Sequence, residues 1–391
     1  MTEFMQTQAG DAGAFERFDL ARVPSPCFVV DEIAIARNLA MLAEVADQSG
    51  AHILSALKAF SMFALAPMIR QYLHGTCASG LYEARLAREE YGGEVATFCA
   101  GYKESEIDEI IALSDHLIFN SIGQKERFLP RVSAASKPVQ VGLRINPEHS
   151  EGEIPKYDPC APCSRLGIPI SQLTDKDLEG VDGLHFHTLC EQGFEPLKRT
   201  WDAIEARILP YADQLKWLNF GGGHHITRAD YDRTALIEFI KDLRTRTGLQ
   251  IYLEPGEAVA LDAGILVGEI LDLPTNGMNL AITDISATCH MPDVIEAPYR
   301  PAMLNEVSEG HLYRLGGPSC LAGDVIGDYS RAELLKIGER IAFLDQAHYS
   351  MVKTNTFNGV ALPSIALWNS ETDELTMVRK FNYTNFRNRL S

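Results

Sequence analysis

Short apolar runs alternate with amphipathic stretches along roughly the first two thirds of the chain. PCFVVDE, residues 26–32, reads as a strand whose Asp31 can cap the segment after it. IARNLAMLAEVADQSG then places apolar residues at helical spacing and stops at Gly50. Strand-like runs follow in HILSALKA, TCASG, VATFCAG, HLIFN, VQVGLRIN, DGLHFHTL, KWLNFGGG and LQIYLEPGE. Helical patterns separate most of them, among them MFALAPMIRQYLHG, LYEARLAREEYGG and ESEIDEIIALS. About eight βα-like units therefore lie between residues 34 and 265. Such alternation implies a parallel sheet, and eight repeats favour a closed barrel over an open one.

From about residue 266 the texture changes. VGEILDL, NLAITDIS, YRLGGPSC, ERIAFLDQ, PSIALWN and LTMVRKF are short strand-like runs between Gly, Pro and Asn, which reads as an all-β domain. The expected fold class is α/β: a (β/α)8 TIM barrel over residues 34–265 with a second all-β domain, sandwich or barrel-like. The second domain is expected to combine residues 23–33 and 266–391, with residues 1–22 as an N-terminal arm.

Charge narrows the partners. The 391 residues carry 35 Lys and Arg against 53 Asp and Glu, a net charge of −18. That balance argues against nucleic acid, whose binding runs on surplus Lys and Arg, and it attracts cations. The eight cysteines show no disulfide-scaffold spacing, and CAPC (Cys160, Cys163) is the one CxxC. No second CxxC or HxxxH follows at zinc-finger distance, so no metal is expected. The N-terminus MTEFMQTQAGDAG lacks the basic start and apolar run of a secretory signal, and no window of ~18 apolar residues marks a membrane span. A cytoplasmic protein with reduced thiols and no membrane partner is expected.

In a barrel of this kind, chemistry collects where strands end. Lys58 closes HILSALK. An amine at the end of a buried strand is costly as a charge, which favours covalent use; the bland alternative is a lysine that reaches solvent. Gly221, Gly222 and Gly223 follow KWLNF, where three backbone N–H groups can crowd a phosphate, or simply make a tight turn. Glu254 ends LQIYLE; it can meet a protonated ring nitrogen or cap the next helix. His185 and His187 flank Phe186, so strand alternation sends both to one face, as a stacking ring or as hydrogen-bonded core histidines. Each signal is weak alone. Together they are what pyridoxal 5′-phosphate needs: a covalent lysine, a phosphate cradle, a pyridinium partner and a flat ring. Beyond the barrel, GGPSCLAGD sets Cys320 among small turn residues where a thiol can be exposed, and HYSMVKTNTFNG carries Tyr349.

These residues resemble the fold-type III pyridoxal-phosphate enzymes, the alanine racemase-like and ornithine decarboxylase-like group, over nearly all of the chain after residue 22. Within that group YDPCAPCSRLG, LHFHTLCE, NFGGGHHIT, EPGEAV, HMPDVIEAPYRP and GGPSCLAGD are similar to the carboxynorspermidine and carboxyspermidine decarboxylases. The resemblance implies that Lys58 holds the cofactor covalently, His187 stacks on its ring and Glu254 meets its ring nitrogen. It also implies that Gly221 to Gly223 and Tyr349 hold the phosphate. Cys320 is implied to reach the neighbouring subunit's site in a homodimer and to reprotonate the substrate α-carbon. Two departures bear on the substrate. Relatives usually read EPGR where this chain has Glu257, and diaminopimelate decarboxylases carry an arginine where it has Glu296, with Asp293 just before. Two cation-to-anion reversals suit a polyamine tail. Glu257, Asp293, Glu296 and Asp324 are the expected substrate carboxylates. The rival activity is diaminopimelate decarboxylation, and the non-enzyme rival is an antizyme-inhibitor-like regulator, against which Lys58 and Cys320 argue.

Overall fold

A computed structural model describes residues 10–152 and 157–391. It divides into two compact units, residues 37–259 and residues 10–36 with 260–391. The chain enters through β1 (Cys27–Asp31) and helix α1 (Glu32–Ser49), which crosses the division. Barrel strands follow in order: β2 (His52–Ala56), β3 (Gly75–Ala78), β4 (Glu94–Phe98), β5 (His116–Phe119) and β6 (Gln140–Asn146). After the two-residue β7 (Ile168–Pro169) come β8 (Gly183–His185), β9 (Trp217–Asn219) and β10 (Gln250–Leu253). Neighbours run β5-β4-β3-β2-β10-β9-β8-β6, and β5 pairs β6 to close the ring. Every one of these pairings is parallel. The expected eight-stranded parallel barrel is therefore what forms, and β7 only extends the edge of β6.

Side chains plug the barrel's N-terminal end. Leu54, Ala96, Ile118, Trp217 and Tyr252 pack there, and Glu94 ties the floor together. Its carboxylate accepts from His52 Nδ1 at 2.8 Å, His116 Nε2 at 3.2 Å and Tyr252 Oη at 3.0 Å, which draws β2, β5 and β10 onto β4. Burial acts to raise the Glu94 carboxyl, but these hydrogen bonds outweigh it and hold it well below the usual range. With the bottom filled, only the C-terminal mouth is left for chemistry.

The other unit is an eight-stranded sheet. Its strands are β1, β11 (Gly264–Asp272), β12 (Leu280–Thr283), β13 (His311–Gly316), β14 (Val325–Arg331), β15 (Arg340–Phe343), β16 (Ser364–Trp368) and β17 (Leu375–Arg379). β1 lies inside this sheet, antiparallel to β11 and parallel to β16, and all five of its residues are buried. Residues 1–9 of the expected arm lie outside the described residues. Residues 10–22 are anchored, because Phe15 and Phe18 set their rings 5.3 and 4.9 Å from that of Trp368. Burying each such ring contributes about 1.5–3 kcal/mol. Among the described residues no helix is long and apolar enough to cross a membrane.

Candidate active site

Glu254, His187, Gly221 to Gly223 and Lys58, all expected from the sequence, meet at the barrel mouth. Glu254 follows β10 and is 8% exposed. Asn219 Nδ2 donates to one of its oxygens at 2.7 Å, and His185 Nε2 lies 3.2 Å from the other. Asn219 and His185 are register partners on β9 and β8, so the parallel pairing sets both donors at one level. Burial acts to raise the Glu254 carboxyl, but His185, Asn219 and the charge of Lys58 outweigh it and keep it below the usual range. His185 itself is pushed down by burial and is a neutral donor to Glu254 at neutral pH. No lysine or arginine pairs with Glu254 among the described residues. A buried anion held by neutral donors is suited to a cation that arrives with a ligand.

His187 follows β8 and is half-buried. The Gly222 N–H donates to its Nδ1 at 2.9 Å, which leaves the ring hydrogen on Nε2. Burial, followed by the charges of Lys58 and Arg144, holds this imidazole well below its usual range, so the ring is neutral and flat. The glycine triplet is demanded by close approach. A Cβ at Gly221, Gly222 or Gly223 would stand 2.5, 2.3 or 2.0 Å from the carbonyl oxygens of Phe186, Glu254 and Leu189. Gly221 and Gly223 also adopt φ of +67° and +85°. The expectation of three N–H groups turned on an anion needs correction. The Gly221 N–H donates to Asn219 Oδ1 at 2.8 Å and the Gly222 N–H to His187, so two are spent within the protein.

Lys58 lies in the turn after β2, two residues beyond the strand end at Ala56, and is exposed. The expectation of a lysine closing a buried strand is corrected to one presented at the mouth. Its charge acts on both His187 and Glu254. Arg144 on β6 was not singled out from the sequence. It is 6% exposed and covers the Phe98 ring at 4.5 Å, and Phe98 in turn stacks on His185 at 5.6 Å. Burial lowers the guanidinium to about 10, still charged at neutral pH. Asn219 was missed too, although its place directly before FGGG was a usable signal. Glu257 begins the short helix Glu257–Ala260, and His225 Nε2 lies 2.9 Å from its Oε2. It therefore has a partner inside the protein.

The remaining expected residues belong to the sheet unit. Cys320 is exposed in the turn between β13 and β14, its N–H donating to Asn358 Oδ1 at 2.8 Å. Asp324 faces inward at 4% exposure. It accepts from Ser286 Oγ at 2.8 Å, Ser319 Oγ at 2.6 Å and the Thr288 N–H at 3.2 Å. Both of its oxygens are engaged in fastening the turn that carries Cys320, which is different from the open substrate carboxylate expected there. Asp293 and Glu296 share the short helix Asp293–Glu296, with Glu296 exposed and Asp293 paired to Lys353 at 2.6 Å. Tyr349 is half-buried, with φ of +42°.

The donor set fits pyridoxal phosphate. A buried carboxylate without a cation, a neutral flat imidazole, a glycine loop that no side chain can enter and an exposed amine converge on one mouth. Residues 27–347 match the family model described as pyridoxal-dependent decarboxylase, C-terminal sheet domain. The chain is 39% identical to a carboxynorspermidine/carboxyspermidine decarboxylase of Campylobacter jejuni, over 93% of this chain and 98% of the relative. It is 41% identical to a carboxyaminopropylagmatine decarboxylase of Synechocystis, over 95% of this chain and 96% of the relative. The crystal structure of carboxynorspermidine decarboxylase from Campylobacter jejuni, complexed with norspermidine, superposes with a TM-score of 0.87 at 38% identity, covering 94% of this chain and all of that one. Five diaminopimelate decarboxylases match at 22–29% identity.

Proposed function

The chain belongs to the pyridoxal-dependent decarboxylase family, and we propose that within it this protein decarboxylates carboxynorspermidine or carboxyspermidine to the free polyamine. One observation carries the chemistry: Glu254 is an ionised, buried carboxylate whose partners are a neutral amide and a neutral imidazole. That arrangement favours a protonated ring nitrogen. When bound, pyridoxal phosphate supplies the sink for the electron pair that decarboxylation leaves behind. Lys58 supplies the amine that holds the cofactor, and His187 offers its ring face. Gly223 and Tyr349 are assigned to the phosphate. Cys320 returns a proton to the α-carbon, as a homodimer partner's contribution, and Asp324 keeps the Cys320 turn in place.

Full-length similarity to the Campylobacter enzyme supports the polyamine substrate. So does the carboxylate character of Glu257, Asp293 and Glu296, which we assign to tail ammonium groups. The similarity to a carboxyaminopropylagmatine decarboxylase favours a second reading in which the tail ends in a guanidinium. Carbon dioxide release should be measured side by side on carboxynorspermidine, carboxyspermidine, carboxyaminopropylagmatine and diaminopimelate. The first two are expected to turn over fastest. Preference for carboxyaminopropylagmatine selects the second reading, and preference for diaminopimelate overturns both.

A further inference from the structure

Cys320 is held by a residue outside its own turn. Three consecutive amides are tied there. The Ser319 N–H donates to Asp324 Oδ2 at 3.3 Å, the Cys320 N–H to Asn358 Oδ1 at 2.8 Å and the Leu321 N–H to Ser319 Oγ at 3.3 Å. The first and third bonds close within the turn. The middle one reaches the segment between β15 and β16, 38 residues further on. Asn358 has φ of +56° and ψ of +13°, a left-handed conformation that asparagine and aspartate tolerate better than other side chains. One block supports both holds on the turn. Residues 286–290 supply Ser286 and Thr288 to Asp324, and they also fasten the segment of Asn358. The Asn355 N–H donates to the Cys289 carbonyl at 2.9 Å and Asn355 Nδ2 to the Thr288 carbonyl at 2.8 Å. His290 adds a third tie. Its Nδ1 accepts from the Ser286 N–H at 3.2 Å, so the ring hydrogen is on Nε2, which donates to the Ala361 carbonyl at 2.9 Å. Burial lowers this imidazole to about 4, so it is neutral at neutral pH and keeps that tautomer.

We propose that Asn358 is a positioning residue for the Cys320 thiol, fixing the peptide from which that thiol delivers its proton. The proposal rests on the reading that Cys320 reprotonates the substrate α-carbon. Cys320 is exposed, so packing does not choose the direction of its side chain. With its own amide and the amides on either side bound, the backbone at 319–321 is set, and rotation about Cα–Cβ is what remains. Proton transfer needs the donor within hydrogen-bond reach of the accepting atom, and a misplacement of ~1 Å can cost about 100-fold in rate. An asparagine suits this position. Its amide oxygen accepts the Cys320 N–H without setting a charge beside the thiol.

The test measures kcat, KM and the alkylation of Cys320 by iodoacetamide, the last read by peptide mass spectrometry across pH. It uses the holoenzyme as wild type, Asn358→Gly, Asn358→Asp, Cys320→Ala and the double variant Cys320→Ala with Asn358→Gly. Glycine keeps the left-handed backbone and removes only the acceptor. Asn358→Gly should lower kcat about ten-fold or more, with KM within about two-fold of wild type and the pH midpoint of alkylation unchanged. Asn358→Asp keeps the acceptor and adds a negative charge. Alkylation at pH 7 should then slow about three- to five-fold, and the alkaline limb of kcat should move to higher pH by the matching shift. In the Cys320→Ala background Asn358→Gly should bring no further loss, because the two residues act as a unit. If Asn358→Gly costs as much without the thiol as with it, or leaves kcat at the wild-type level while Cys320→Ala lowers it, the positioning role is overturned and Cys320 keeps its own. Alkylation unmoved by Asn358→Asp would put the Asn358 side chain away from the thiol and overturn it too. If Cys320→Ala turns over like wild type, the reading of Cys320 falls and the proposal falls with it.

Discussion

Glu254 and Lys58 carry opposite demands on their surroundings, and each demand can be tested one residue at a time. The Glu254 carboxyl lies below its ordinary value of 4.5 in the folded protein. The stability it contributes is therefore present above pH 4.5 and is lost as the pH falls below it. Asn219→Ala removes the 2.7 Å donor and should cost about 1–3 kcal/mol. It should also move the acid edge of the melting-temperature profile of the cofactor-free protein to higher pH. An unchanged profile would mean that the Asn219 amide does not keep Glu254 ionised. Lys58 is exposed, so Lys58→Ala should leave the melting temperature near that of the wild type. It should abolish borohydride fixation of the cofactor and slow decarboxylation by several orders of magnitude. Near wild-type turnover would point to a different lysine.

Elements add constraints that single residues do not have. The turn between β13 and β14 exposes Cys320 because Asp324 gathers Ser286, Ser319 and the Thr288 N–H beneath it. Asp324→Ala leaves buried donors without an acceptor and should destabilise the protein by about 1–3 kcal/mol. Turnover should drop while the absorbance of bound cofactor persists. Cys320→Ala should instead leave the melting temperature unchanged and affect turnover alone. Equal melting temperatures for both variants would remove Asp324 from the role of fastening the turn. The strand that closes this turn, β14, was not foreseen. VIGDYSR contains a glycine and an aspartate and does not read as a strand, but Asp328 lies opposite Arg314 on β13 and pairs with it at 2.7 and 2.9 Å. Cross-strand pairing, not local propensity, makes that strand.

At the scale of the whole molecule, the assignment of Cys320 to a partner's site predicts complementation. Mixing Lys58→Ala with Cys320→Ala protomers should restore activity to about a quarter of the sites, the share expected of random pairing in a C2 dimer. No recovery, with subunit exchange demonstrated by differently labelled protomers, would argue against a shared site. Much of this architecture was written in local pattern. The eight barrel strands and the helix before them follow from apolar periodicity, a property of neighbouring residues. Lys58, His187, Gly221 to Gly223 and Glu254 drew attention because each follows a strand. Barrel closure decided the rest. Glu254 is an ionised site because Asn219 and His185, 35 and 69 residues away, arrive at its two oxygens. Asp293 met Lys353 across 60 residues, and Asp324 turned inward to Ser286 across 38. The sequence alone determined which chemical groups stand at the ends of which strands. Whether a carboxylate among them is open to a ligand or already held was decided by the tertiary structure, because hydrogen-bond partners are set by strand register and turn packing, which local pattern does not record.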